Sequence, residues 1–239
     1  MALKSIEVLD KKFNISYEIV NPTEKKDIVI LHGWGSNKEI MKQAFGNLLQ
    51  DFRHIYVDMP GFGKSSNDYV LTTKDYSLIV KKFLEVLNTN VIAIVGHSFG
   101  GKVATLINPD NLILLSSAGI LEKKSMKTKI KIFFAKLLNT FGLSKLTKVF
   151  RSDDVQKMSE NMYETFKNVV NEDFSFIFES YEKKAIIFWG KSDLATTLTS
   201  GEKIHKLIKN SSFEVYEGDH YFFLKHKKDI CKKIENGIK

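Results

Sequence analysis

Cysteine occurs once in the 239 residues, at Cys231, so no disulfide can form within the chain, which suits a reducing compartment. Proline occurs three times, and no Pro-rich linker, internal repeat or low-complexity tract divides the chain. No apolar run reaches the ~18 residues that a bilayer span needs. The opening Met1-Ala2-Leu3-Lys4-Ser5-Ile6-Glu7 lacks the apolar core of a signal peptide. A cytoplasmic chain without a transmembrane segment is the expectation. What remains is ordinary for a globular protein, 43% hydrophobic and 27% charged. The length suits one sizeable core with a small appended subdomain.

The net charge of +8 is not spread evenly. Residues 121–151 hold eight lysines and Arg151 against the single acid Glu122, which accounts for all of it. Residues 152–184 then carry eight acids against four lysines. A basic-partner argument therefore concerns one segment alone.

Two strands are expected at 5–9 and 13–20, separated by a polar turn, Asp10-Lys11-Lys12. The apolar run Ile28-Val29-Ile30-Leu31 reads as a buried parallel strand and breaks at His32-Gly33-Trp34-Gly35. Strand signals recur at 54–58, 91–95 and 112–115, with amphipathic helical spacing at 40–49 and 76–87 between them. They vanish from about 117 to 184, where helical periodicity takes over, and resume at 185–189 and 213–216. Strands alternating with helices imply right-handed crossovers and a mostly parallel sheet flanked by helices. The expected organisation is an α/β core of residues 1–116 and 185–239, with a helical cap inserted at 117–184.

Gly96-His97-Ser98-Phe99-Gly100-Gly101 stands where an apolar strand meets a helix. In that context G-x-S-x-G reads as a strained turn that lifts a serine hydroxyl above the carboxyl edge of the sheet. The plain alternative is a helix start with Ser98 as its N-cap. A serine hydroxyl is a weak nucleophile and needs a base held in one tautomer by an acid. Of six histidines, His220 follows the last strand and opens onto the final helix, where a loop can reach Ser98. His32 is expected to brace its loop, and His97 to point away from the Ser98 hydroxyl. His54 opens a strand, while His205 and His226 fall on polar helix faces and read as solvated. Asp193 follows the strand at 185–189 and is the expected acid, with Asp58 and Asp219 as alternatives. The backbone N–H groups of Trp34 and Phe99 are the candidate oxyanion donors. Catalysis on this plan needs neither cofactor nor metal. Gly61-Phe62-Gly63-Lys64-Ser65 ends like a phosphate-binding loop, but that motif needs a glycine where Asp58 stands.

Taken together, these residues resemble the α/β-hydrolase superfamily over nearly the whole chain. Gly33-Trp34-Gly35 and Pro60-Gly61-Phe62-Gly63 look most like the pimeloyl-carrier-protein methyl ester esterases of biotin synthesis and related small carboxylesterases. The resemblance implies the α/β-hydrolase fold, the chain order Ser98, Asp193, His220, and a helical cap that sets specificity. Asp219 departs from the family, which usually has a small residue before the histidine. Ester or thioester hydrolysis through an acyl-enzyme is the expected reaction. The alternatives are C–C bond hydrolysis of a 2-hydroxy-6-oxo-dienoate by the same triad, and a non-catalytic ligand-binding protein.

Most Phe and Met residues of the insertion read as the core face of its helices. A minority, from Phe133, Phe134, Met158, Met162 and Phe166, are candidates for lining a pocket for a small acyl ester. The basic segment 121–151 allows a solvated helix face, docking of an acidic carrier protein, or adsorption to anionic lipid. Nucleic-acid binding is not expected, because no recognised module accompanies the charge.

Overall fold

The computed structural model describes residues 1–121 and 159–238. Its frame is an eight-stranded sheet in the order β1-β2-β4-β3-β5-β6-β7-β8. The strands are β1 (Ala2–Val8), β2 (Lys11–Val20), β3 (Asp27–Leu31), β4 (Arg53–Val57), β5 (Val91–His97), β6 (Asn111–Leu115), β7 (Lys184–Gly190) and β8 (Ser211–Tyr216). From β4 to β8 all neighbours pair in parallel, and β2 is antiparallel to both β1 and β4. The inner parallel strands are buried on both faces, and β3 has no exposed residue, which is why they read as unbroken apolar runs, whereas the edge strand β8 is partly exposed.

The first hairpin is tighter than its composition implies. Lys11 and Lys12 lie in β2, and the turn is Leu9-Asp10 alone, with φ of 56° and 57°. Two successive positive φ angles make a type I′ turn, whose twist matches the flanking strands. That register carries Phe13 and Ile15 inward while Lys12 and Asn14 face solvent.

Seven helices lie among the described residues: α1 (Lys38–Phe45), α2 (Thr73–Val86), α3 (Phe99–Ile107), α4 (Glu160–Val170), α5 (Ser175–Glu179), α6 (Leu198–Leu207) and α7 (Phe223–Ile238). They cover both faces of the sheet, and two apolar clusters form on its two sides. Helix α2 starts cleanly because Thr72 and Asp75 form a reciprocal capping box. None of the described helices is long and apolar enough to cross a membrane.

Helices α4 and α5 occupy the interval between β6 and β7. Their Met162, Phe166, Val169, Phe174 and Phe178 join the same cluster as Trp34, Phe62 and Phe99. Lys102 of α3 ties this interval to the core from below. Its buried ammonium donates to the Val169 carbonyl at 2.5 Å and pairs with Glu172 at 2.6 Å. The carbonyl lies in the last turn of α4, where a cation meets unsatisfied acceptors. Phe133, Phe134, Met158 and nearly all of the basic segment 121–151 lie outside the described residues.

Candidate active site

Six parallel strands end at one edge of the sheet, so the loops that follow β3 to β8 gather there. The turn after β5 is the most constrained of them. Ser98 has φ of 51° and ψ of −115°, a conformation non-glycine residues adopt only when the surroundings enforce it. Three backbone hydrogen bonds do so. Ser98 N–H donates to Leu115 O, and its carbonyl accepts from Gly101 N–H and Ala118 N–H. The close approach also demands glycine: a Cβ at Gly96 would sit 2.5 Å from Gly100 O, and one at Gly100 would sit 2.6 Å from His32 O. Ser98 stands at the N-cap position of α3, but its side chain makes no capping hydrogen bond.

Asp193 and His220 meet across the loops after β7 and β8. The His220 Nδ1 and Asp193 Oδ2 atoms are 2.6 Å apart, with Asp193 3% and His220 7% exposed. An ionised carboxylate only accepts, so Nδ1 carries the proton that it receives. In the neutral imidazole this leaves Nε2 with its lone pair. Asp193 is gripped from behind as well. Its Oδ1 accepts from Ala195 N–H at 2.7 Å and Thr196 N–H at 3.1 Å. The Thr196 hydroxyl stands 2.9 Å from Oδ2 and 3.0 Å from Ser116 O, and shares one proton between them. Burial would raise the Asp193 carboxyl, but adjacent His220, Ser116 and the Thr196 N–H pull it down to about 2. Asp219, the neighbouring acid, turns elsewhere and accepts from Tyr221 N–H at 2.9 Å. That contact gives the aspartate a local role in the turn that carries His220.

The elbow and the His220 loop touch through His97. Its ring centroid lies 4.5 Å from that of His220, and its Nε2 lies 3.0 Å from His220 O. A nucleophile candidate and a carboxylate-bound imidazole thus share one strand edge.

Comparison with known proteins agrees with this fold. The Alpha/beta hydrolase family model matches residues 28–224. The chain belongs to that family. It is 24% identical to the uncharacterised hydrolase YugF of Bacillus subtilis, over 83% of this chain and 84% of that one. A shorter stretch is 38% identical to the pimeloyl-[acyl-carrier protein] methyl ester esterase of Proteus mirabilis, over 36% of this chain and 32% of that relative. In three dimensions, an esterase from Exiguobacterium antarcticum superposes with a TM-score of 0.79 at 22% identity, over 98% of both chains.

His32, Asp58, His54, His205 and His226 of this hydrolase are held by partners elsewhere. His32 is wholly buried: its Nδ1 donates to Gly33 O at 2.7 Å, and its Nε2 accepts from Met59 N–H at 3.0 Å. Burial holds it neutral, with a pKa lowered to about 4. Asp58 accepts from the Lys38 ammonium at 2.7 Å, from Lys38 N–H at 2.8 Å and from Lys64 N–H at 3.1 Å. It orders the 58–65 loop and lies opposite a lysine, not an imidazole. His54 bonds Leu49 O and Tyr56. Two expectations need correction, because His205 and His226 are both half-buried and partnered. His205 Nδ1 lies 2.8 Å from Ser211 Oγ and its ring stacks on Phe213, while His226 Nε2 donates to Glu217 O at 2.7 Å. Each reaches the neighbouring strand β8 or its end, which helical periodicity does not register.

Trp34 of the β3 loop and Phe99 of the elbow meet edge to face, with ring centroids 5.4 Å apart. Phe99 is the first residue of α3, where N–H groups have no partner within the helix. In the β3 loop the turn bond runs from Ser36 N–H to Gly33 O, outside Trp34 N–H. Trp34 also packs on Phe62 and on Phe166 of α4, and Met162 of α4 lies against Gly61. Met162 and Phe166 are therefore buried next to the Trp34 loop. Sequence reasoning missed Thr196 and Ser116. A threonine three residues after Asp193 is a local signal for a side-chain-capped turn, but Ser116 is joined to it only by the pairing of β6 with β7.

Proposed function

We propose that this hydrolase cleaves carboxylic esters through Ser98, His220 and Asp193. The observation that carries the reading is the pairing of a strained, uncapped Ser98 with a buried Asp193-bound His220 on the adjoining loop. In the first half-reaction Ser98 Oγ attacks the ester carbonyl carbon as its proton passes to His220 Nε2. The carbonyl electron pair moves onto oxygen, facing the N–H groups of Trp34 and Phe99. Collapse breaks the C–O bond, and the leaving alcohol takes the proton from His220. Water then attacks the acyl-serine, gives its proton to His220, and releases the acid as Ser98 recovers its own.

Asp193 serves this cycle because it stays ionised and fixes the Nδ1–H tautomer, so the free nitrogen always faces the chemistry. The aromatic cluster of Trp34, Phe62, Phe99 and Phe166, closed by Met162, favours a small apolar acyl group. Residues 117–184 act as the cap, with α4 as its inner face. An acidic carrier protein attached to the acyl part is compatible with the partial match to a carrier-protein methyl ester esterase, where methanol is the leaving group, and with the basic residues 121–151.

Fluorophosphonate labelling tests the reading. Modification at Ser98, absent in Ser98→Ala, is expected, with nitrophenyl esters turned over and turnover falling as the acyl chain lengthens. A wild-type chain that takes no label and leaves every ester intact overturns it. Faster turnover of a ring-cleavage dienoate than of any ester would transfer the same residues to C–C hydrolysis.

A further inference from the structure

His97 ends β5 with no exposed surface. Its ring lies 4.5 Å from that of His220, 5.0 Å from Tyr221 and 4.9 Å from Phe223. On the other side it meets the β3 loop, where a Cβ added to Gly33 would sit 3.0 Å from His97 Nδ1 and 3.1 Å from Ser98 Cβ. One side chain therefore touches the loop that carries Trp34 and the loop that carries His220. Its own backbone leads directly into Ser98.

The hydrogen-bond pattern assigns its protons. His97 Nε2 is 3.0 Å from the His220 carbonyl, which can only accept, so Nε2 carries hydrogen. Nδ1 is buried without a hydrogen-bond partner among the described residues. The groups that face the ring are His220, Asp193, His32 and Tyr221. Burial, with His220 and His32 adding to it, drives the His97 pKa well below the ordinary value, against the opposing pull of Asp193 and the His220 carbonyl. The ring is therefore a neutral donor. Neutrality matters at this spot, since a second cation beside His220 would oppose the imidazolium that forms during acyl transfer.

We propose that His97 is a positioning residue, whose Nε2–H ties the His220 main chain to the nucleophile elbow and keeps base and serine in register. Asp193 fixes the rotation of the His220 ring, and His97 fixes where its backbone stands. A proton relay through His97 is not implied, because its N–H points to a carbonyl and not to a ring nitrogen. The proposal rests on the reading of Ser98, His220 and Asp193 given above.

Three substitutions separate the tie from mere packing. Gln places a side-chain N–H at the reach of Nε2, Asn stops short at the reach of Nδ1, and Phe fills the space without a donor. With a nitrophenyl ester, His97→Asn and His97→Phe are expected to lower kcat by about tenfold to a hundredfold, with KM within about twofold, as a misplaced base does. His97→Gln is expected to recover most of the loss. Equal kcat in His97→Phe and wild type, or equal losses in His97→Gln and His97→Phe, would overturn the proposal. A measurement on the unmodified chain guards against variants that fail to fold. Nitrogen NMR of the histidines should find His97 neutral and protonated on Nε2 at the pH of the assay. The Nδ1–H tautomer, or a doubly protonated ring at that pH, would also overturn it. Fluorophosphonate labelling keeps the two failures apart. Wild type labelled at Ser98 with His97→Phe labelled equally fast removes the tie alone, whereas an unlabelled wild type removes the reading beneath it.

Discussion

Asp58 and Asp193 are two versions of one design. Each follows a parallel strand, β4 or β7, each is buried, and each accepts two backbone N–H groups from its own or an adjoining loop. Burial would raise both carboxyls, and in both the hydrogen bonds and the facing side chain, Lys38 or His220, bring them below the usual range. The partner differs. Asp58 faces Lys38, whose ammonium stays charged, while Asp193 faces an imidazole, the side chain that exchanges protons near neutrality. On the proposed function, the same cradle makes a permanent tie in one loop and a proton-handling pair in the other. Position at a strand end supplies the carboxylate, and the opposite loop decides what it does.

Exchanging each carboxylate for an amide should break the comparison in two different ways. Asp193→Asn is expected to cut kcat about 10⁴-fold with KM little changed, because the amide no longer holds the Nδ1–H tautomer. A loss below about tenfold in steady-state assays would put Asp193 in the same structural class as Asp58. Asp58→Asn should instead cost about 3–5 kcal/mol of stability in urea unfolding, by leaving the buried Lys38 ammonium with only the exposed Glu39 carboxylate, 3.3 Å away, as counter-charge. Adding Lys38→Met should return most of that, and a double variant as unstable as the single would show that the ion pair is not the source.

Acid should distinguish the Asp193 carboxyl thermodynamically. Its folded pKa of about 2 lies below the ordinary carboxylate value. Between the two values the unfolded chain binds the proton and the folded chain does not, so stability rises with pH there. The contribution, roughly 2 kcal/mol, should be complete above about pH 4 and lost as pH falls towards about 2. Urea midpoints of wild type and Asp193→Asn should converge over that window, and a constant gap would count against the shift.

The smallest effect concerns the basic segment. Reversing Lys129, Lys131 and Lys136 to Glu should raise KM severalfold for a carrier-linked ester at low salt, on the order of 1 kcal/mol. Free small esters should be unaffected. An equal rise for both substrates would remove the carrier from the picture.

Much of the architecture was legible before any coordinates. Unbroken apolar runs such as 28–31 and 112–115 announced buried parallel strands, because a strand covered by helices on both faces has no polar side to show. The elbow was legible for a similar reason, since Gly96, Ser98 and Gly100 lie within five residues and constrain one another directly. Asp193 and His220 were reachable by a weaker argument, their positions just after strands. The clamp of Thr196 and Ser116 around Asp193 escaped, as did the burial of Lys38 and Lys102. A lysine in an amphipathic helix reads as solvated until the carboxylate opposite is known, and Asp58 and Glu172 are 20 and 70 residues away. His205 and His226 misled in the same direction, towards solvent.

Local order in this chain comes from short-range steric and apolar pattern, so the residues alone determined the parallel strands, their crossover helices and the strained turn at Ser98. Which charged and polar groups face one another was decided only when distant loops met at the sheet edge. That pairing depends on desolvation and hydrogen-bond geometry between elements remote in sequence, and it gives Asp58 a lysine, Asp193 an imidazole, and His97 a backbone carbonyl to hold.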